Sequence, residues 1–517
     1  MFKINFSKQI INDEIKNSII LIAIIIVSSL LLRLYFFPFG IPLTLDSIGY
    51  FWYANDISIL GKLPEGYSFG NNGWPVFLSP FFTILNSNNM ISYMDLQRSI
   101  SIIFSVLTVI PVYFLCKRFV NYKFAIIGAA IFAFEPRLIQ DSLLGLNSSM
   151  YIALGTLALV LFFSSNKYAR YYSFAIIGFA SLIRSEGLFL FFALSIMYFF
   201  HYRKNKNEIM KYVILLLIFV IVITPMAILK TQINGDDGLT SRIIGTTSQI
   251  IDDNSTGKVN IFDYLFNGSI TFVKFLGWDL LPIFIFFVPI GIFLFFRKWN
   301  YEKTTIIVIA IITSIPILYA YSAQALDTKY FYPLYPIFCI LSVIAIKKFS
   351  EHISRPDFFI IIIIIGIFVL SFIFLNFKLI DLEHDREYYA VAQYVINNTT
   401  GINDYYPGSA YLLPVEMEMK WPILKSDLVK HTLKINTGEF NSVKYNSLDE
   451  FMKTIKNNEL SHIITDNDPK RPLFLKDVFL HEEKYPYLVK QFDSKNHGFM
   501  HEVKIFKIDY EIFNSNP

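Results

Sequence analysis

The chain has 517 residues, of which 54% are hydrophobic and only 17% charged, with a net charge of +4. Soluble domains carry about a quarter charged residues, so this composition excludes an ordinary soluble enzyme, and so mild a positive balance does not imply a nucleic-acid partner. Two cysteines, Cys116 and Cys339, both lie in apolar runs and exclude a disulfide framework.

In chain order, apolar segments fall near 18–38, 99–116, 124–135, 149–165, 171–183, 187–201, 211–229, 273–296, 304–321, 331–346 and 357–377. A helix of about twenty apolar residues crosses a hydrocarbon layer roughly 30 Å thick, because each residue rises about 1.5 Å. The pattern therefore predicts a polytopic α-helical membrane protein of about eleven transmembrane helices. The first run, Ile19 to Phe37, is full-length without a small-residue cleavage site and is read as the first span. Lysines and arginines crowd alternate connections: Lys3, Lys8 and Lys16; Lys117, Arg118 and Lys123; Lys167 and Arg170; Arg203, Lys204, Lys206 and Lys211; Arg297, Lys298 and Lys303; Lys347, Lys348 and Arg355. The opposite short loops hold mostly single positives, so the expected topology is a cytoplasmic N-terminus with everything after Phe377 outside.

Three outer regions are large. Residues 39–98 are aromatic and amphipathic, as expected of short helices lying in the headgroup layer. Residues 230–272 are polar and rich in turn formers. The tail, 378–517, reads as a soluble α/β domain, with helices near 385–397, 447–458 and 472–483 and strands near 431–436, 461–465, 487–492 and 502–509. Residues 1–377 form the membrane domain. Glycosylation sequons at Asn254, Asn267, Asn397 and Asn398 all fall on the outer side of this scheme.

Polar groups gather at the outer ends of the spans. Ionisable side chains beside hydrocarbon are costly and persist where they are paired or used. Asp46, shortly after the first span, reads either as a general base at the membrane edge or as a helix cap before Ser47-Ile48-Gly49-Tyr50. Glu135 and Arg137, in Phe134-Glu135-Pro136-Arg137, read either as a mutual pair or, with Asp141, as site residues beside Asp46. Arg184 and Glu186 occupy a tight outer turn, Arg184-Ser185-Glu186-Gly187, as an ion pair or as part of a phosphate site. Lys329 and Tyr330 begin a Lys-Tyr-Phe-Tyr-Pro-Leu-Tyr-Pro run that suits an interfacial belt or a phosphate contact. No P-loop and no dinucleotide fingerprint occurs.

Taken in order, these motifs form a set. Arg33 near the end of span one precedes Asp46 and Tyr50, followed by Glu-Pro-Arg at 135–137, Arg-x-Glu-Gly at 184–187 and Asp-x-Lys-Tyr-x-x-Pro-x-x-Pro at 327–336. The layout, over roughly residues 18–377, resembles the GT-C superfamily of membrane glycosyltransferases, particularly the protein O-mannosyltransferase and aminoarabinose transferase group. That resemblance implies transfer of a hexose such as mannose from a polyprenyl-phosphate carrier to a glycan, lipid or protein acceptor at the outer face, with inversion. It implies Asp46 as catalytic base, Arg184, Lys329, Tyr330 and Arg137 at the donor phosphate, and Glu135 or Asp141 as a second acid. No cofactor is required on this reading, although Asp46, Glu135 and Asp141 would offer oxygen ligands to Mg²⁺ or Mn²⁺. The sequence departs from the family at Ser47, where many relatives have Glu, and at Asn147-Ser148-Ser149, where an acid often stands. Competing readings are a pyrophosphate-carrier oligosaccharyltransferase and a non-enzymatic transporter or lipid-binding protein. Against the transporter stand the lack of an inverted repeat and of charges at mid-membrane.

Overall fold

A computed structural model describes residues 2–67, 72–166, 168–240, 261–297, 299–404, 408–421, 438–442, 444–455 and 459–515. The expected sequon at Asn254, the expected strand at 431–436 and the end of the expected helix at 447–458 lie outside the described residues. The chain divides into two compact units.

The first unit comprises 1–37, 50–84 and 96–375. In order, the helices that lie in it wholly or in part are α1 (Phe2–Tyr35), α2 (Leu45–Leu60), α3 (Gly73–Leu85), α4 (Met90–Leu107), α5 (Val109–Lys117), α6 (Tyr122–Ala133), α7 (Pro136–Leu143), α8 (Ser148–Phe162), α9 (Ala169–Ile183), α10 (Gly187–Tyr202) and α11 (Lys206–Asn234). They continue with α12 (Ile261–Asp279), α13 (Phe284–Phe295), α14 (Tyr301–Ser322), a 3₁₀ turn at Thr328–Leu334, α15 (Tyr335–Ser350) and α16 (Pro356–Phe377). Each of the eleven apolar segments read from the sequence coincides with one of these helices or a pair of them. Six stretches are long and apolar enough to cross a membrane alone.

The others depart from a straight crossing in two ways. Helices α6, α8, α9 and α10 have only 12 to 16 residues. The interior takes nearly every side chain of α6, so it has little lipid to face. The expected span at 273–296 is corrected: α12 ends at Asp279, and α13 leaves it at 113°. The sequence at the break is Trp278-Asp279-Leu280-Leu281-Pro282, and a proline there removes an amide donor that a continuous helix would need.

Polar struts hold α1 to its neighbours. Arg33 is fully buried and donates to Ser142 Oγ (3.2 Å), Ser105 Oγ (2.8 Å), the Ala133 carbonyl (3.1 Å) and Ser29. Five guanidinium N–H groups need that many acceptors once water is excluded, and here neutral oxygens supply them. Cys116 and Cys339 are buried free thiols, as the sequence implied.

The second unit comprises 38–49, 85–95 and 376–517. Helix α17 (Leu379–Asn398) leads into a five-stranded sheet of β1 (Gly401–Asn403), β2 (Gly438–Phe440), β3 (His462–Asp466), β4 (Leu488–Asp493) and β5 (Val503–Ile508). The order is β2-β1-β3-β5-β4, with β1 parallel to β2 and β3, and β5 antiparallel to β3 and β4. Side chains alternate across a strand, so Ile464 and Ile505 face Val391, Val395 and Leu412, while Ile463 and Phe506 face Phe451, Leu475 and Val478. The α/β reading of the tail holds, with β1 and β2 added to the expected strands.

Candidate active site

The segment 134–149 is the scaffold of the site. Helix α7 begins at Pro136, which suits a first helical position because its missing N–H would be unpaired there anyway. Its C-terminal carbonyls are satisfied from α4. Arg98 donates to Leu143 O (3.1 Å), Gln97 to Gly145 O (2.8 Å) and Ser101 to Leu146 O (3.2 Å). Asn147 then donates to the Ile183 carbonyl (3.0 Å) and to Tyr50 Oη (3.2 Å), which pins the end of α9 beside this loop. The departure from the family at Asn147 is thus a structural tie in this chain.

The turn after α9 is set by close packing. A Cβ on Gly187 would lie 2.7 Å from the backbone of Ser181, and one on Gly73 would lie 2.7 Å from the backbone of Leu182. Only glycine lets α3 and α10 approach the end of α9 so closely, and Arg184 is the residue that follows. Its guanidinium is nearly buried, donates to Glu186 at 2.6 Å and rests over the Tyr151 ring at 5.9 Å. The ion pair expected between Arg184 and Glu186 is therefore present.

Asp141 is the acid that this packing brings toward the cations. It is 4% exposed and within electrostatic reach of Arg184, Lys329 and Asp327, with the Ser148 hydroxyl and Tyr332 alongside. Burial pushes its carboxyl up to about 7, against the opposing pull of Arg184 and Lys329. The unfolded aspartate holds its proton only below about 4. The folded state binds more protons between those values, so stability falls as pH rises from about 4 through 7. Asp141→Asn will flatten this window. The melting temperature of the variant, followed across that range, will drop less toward neutral pH than that of the unsubstituted protein.

Lys329 opens the 3₁₀ turn, where Asp327 caps its backbone N–H (2.9 Å) and pairs with its Nζ (3.2 Å). Tyr330 packs edge-on against Tyr321 at 5.9 Å. Arg137 and Glu135 do not form the mutual ion pair that one reading expected. Arg137 instead donates to the carbonyls of Trp278 (2.7 Å) and Leu281 (3.3 Å), at the break between α12 and α13. Glu135 is fully buried, and neither of its oxygens has a hydrogen-bond partner. Asp279, itself buried and hydrogen-bonded by Tyr335 (2.9 Å), is an acid near Glu135 that the sequence reading did not single out. Its one signal was an acid next to Pro282 inside an apolar run.

Asp46 lies exposed in the first turn of α2, on the 38–49 segment of the second unit. It falls inside the helix rather than before it, where a carboxylate complements the N-terminal dipole. Among the described residues no three His, Cys, Asp or Glu side chains gather as a metal site. Beneath Arg184, Tyr151 also lines a narrow cleft with Gly155, Thr156, Leu190, Pro333 and Ile337.

Residues 76–228 match the family of dolichyl-phosphate-mannose-protein mannosyltransferases. No curated protein sequence matches the chain significantly. Among solved structures, the fold is similar to the oligosaccharyltransferase of Archaeoglobus fulgidus crystallised with zinc and sulfate, at 13% identity and a TM-score of 0.52, over 86% of this chain and 68% of that one. It is similar to the same organism's AglB in complex with an inhibitory peptide and a dolichol-phosphate, at 12% identity and a TM-score of 0.52, over 91% and 72%. It is also similar to ArnT from Cupriavidus metallidurans bound to undecaprenyl phosphate, at 9% identity and a TM-score of 0.52, over 93% and 97%. Over most of its length the chain thus shares its fold with solved membrane glycosyltransferases, and the GT-C-like fold class expected from the sequence is the one found.

Proposed function

We propose that the protein transfers a hexose, of the mannose class, from a polyprenyl-phosphate carrier to a hydroxyl of a glycan, lipid or protein acceptor at the outer membrane face. The observation that carries this reading is the grouping of Arg184 and Lys329 around Asp141, with Arg184 resting over the Tyr151 ring. A polyprenyl phosphate is an anion on an apolar chain, and such a ligand asks for cations beside apolar surface. The solved relatives bound to dolichol-phosphate and undecaprenyl phosphate support the same carrier class.

The chemistry is a displacement at the anomeric carbon. The acceptor oxygen forms the new C–O bond as Asp46 takes its proton, and the bond from the carbon to the phosphate oxygen breaks with its electron pair leaving on the phosphate. Arg184 and Lys329 compensate the charge of the departing phosphate. On this reading Tyr330 and Arg137 also serve the donor phosphate, and Asp141 or Glu135 serves as the second acid. With the leaving group neutralised by side chains, the reaction needs no nucleotide and no cofactor. The N-terminus is cytoplasmic in this scheme, and the C-terminal unit extracytoplasmic.

The test is direct. Purified protein mixed with a polyprenyl-phosphate hexose and an acceptor glycan will release free polyprenyl phosphate without any ion gradient. No release, with or without added Mg²⁺ or Mn²⁺, would sink the proposal. Release only with the metal and only from a pyrophosphate-linked donor would move the protein to the oligosaccharyltransferase reading.

A further inference from the structure

The opposite end of the helical unit carries a second cavity, unrelated to transfer. Helix α8 starts beside Arg184 and runs 15 residues away from it, about 22 Å at 1.5 Å per residue. Where it ends, at Phe162, it meets the end of α5, and the two helix ends line an open cavity of about 440 Å³. Its polar wall is Lys117, Arg118, Ser164 and Ser165, and its apolar wall includes Phe114 and Phe163. We propose that this cavity is a binding site for the headgroup of an anionic glycerophospholipid, whose acyl chains run along the exposed face of α5.

Four observations point to that ligand. Lys117 has no carboxylate partner among the described residues; its ammonium reaches only the Tyr113 ring, at 5.8 Å. Arg118 donates Nε to Glu302 at 2.7 Å, so the wall keeps one uncompensated positive charge. Ser164 Oγ accepts from the Asn166 N–H at 3.2 Å, which leaves its own O–H to donate toward a phosphate oxygen. Phe114, one helical turn before Lys117, is half exposed and continues the cavity toward the lipid layer. Cation, hydroxyl donors and an apolar runway together match a phosphodiester tethered to hydrocarbon, and basic pockets between spans at the cytoplasmic side take anionic headgroups in general. A soluble phosphate would use the cation and the hydroxyls but gain nothing from the Phe114 side. The competing account of Lys117 is a lysine that snorkels from an apolar helix to water with no bound partner.

The experiment uses the full chain in neutral detergent, with bound lipid counted by native mass spectrometry. Probes are phosphatidylglycerol, phosphatidylcholine and soluble glycerol phosphate. Phosphatidylglycerol is expected to bind, and the other two to bind at least tenfold more weakly. A lysine near a lipid surface contributes about 1 kcal/mol, so Lys117→Gln will weaken phosphatidylglycerol about fivefold. Lys123→Gln is the control. Lys123 stands at the start of α6, pairs with Asp357 at 2.5 Å and is not on the cavity wall, so its loss will leave the affinity unchanged. Equal losses in the two variants would show diffuse surface charge and overturn the site. Phosphatidylcholine or glycerol phosphate binding as tightly as phosphatidylglycerol would overturn the ligand. Ser164→Ala, which alters no charge, will weaken binding without changing the melting temperature of the lipid-free protein.

Discussion

Sugar transfer by the Asp46→Asn variant will fall by about 10² to 10⁴, the range a positioned general base contributes. Asparagine keeps the shape of the side chain and cannot take a proton from the acceptor. Asp46 is exposed in the first turn of α2, so an acceptor hydroxyl can approach it from water. A purely structural aspartate at that place acts through the helix dipole and contributes about 0.3–1 kcal/mol at a surface site. Its replacement would shift the melting temperature by a few degrees and leave turnover alone. The two roles therefore separate cleanly when turnover and melting are measured on the same preparation. Near-normal turnover with a lowered melting temperature would assign Asp46 to the helix end and leave the reaction without its proposed base.

The sequence showed where the chain enters and leaves the apolar layer, because hydropathy sums over twenty residues and tolerates errors at any one of them. Direction is another matter. The run 273–296 stays apolar across Asp279 and Pro282, so a windowed average reads straight through a break where α13 leaves α12 at 113°. The tail behaves similarly. Strands of five or six residues such as β3, β4 and β5 show their alternation, whereas β1 and β2, three residues each, are too short to show one. For the site, residue types were legible and partners were not. Arg184 and Glu186 are neighbours in sequence and pair as read. Glu135 and Arg137 are equally close, yet Arg137 turns to carbonyls more than a hundred residues away, at the break after α12. The convergence of Asp141 with Arg184 and Lys329 likewise depends on Asn147, Gly73 and Gly187 drawing α3, α9 and α10 together, which no local spacing encodes.

Arg184→Ala will weaken binding of the free carrier, undecaprenyl phosphate, by about 10²-fold, and Lys329→Ala by about tenfold. The difference follows from environment. Arg184 is nearly buried, and removing one partner of a buried charge pair costs about 2–5 kcal/mol, where each 1.4 kcal/mol is tenfold. Lys329 is partly exposed and already held by Asp327, so part of its attraction is spoken for before the phosphate arrives. Arg184→Lys will recover only some of the loss, because an ammonium keeps the charge without the planar fork that meets two phosphate oxygens at once. Alanine at 184 also strands the Glu186 carboxylate, which then repels an anion that the arginine had screened. Glu186→Gln in the Arg184→Ala background will therefore regain part of the affinity, a recovery that simple misfolding of the turn would not give. Undiminished carrier affinity in both single variants would show that the phosphate is held elsewhere.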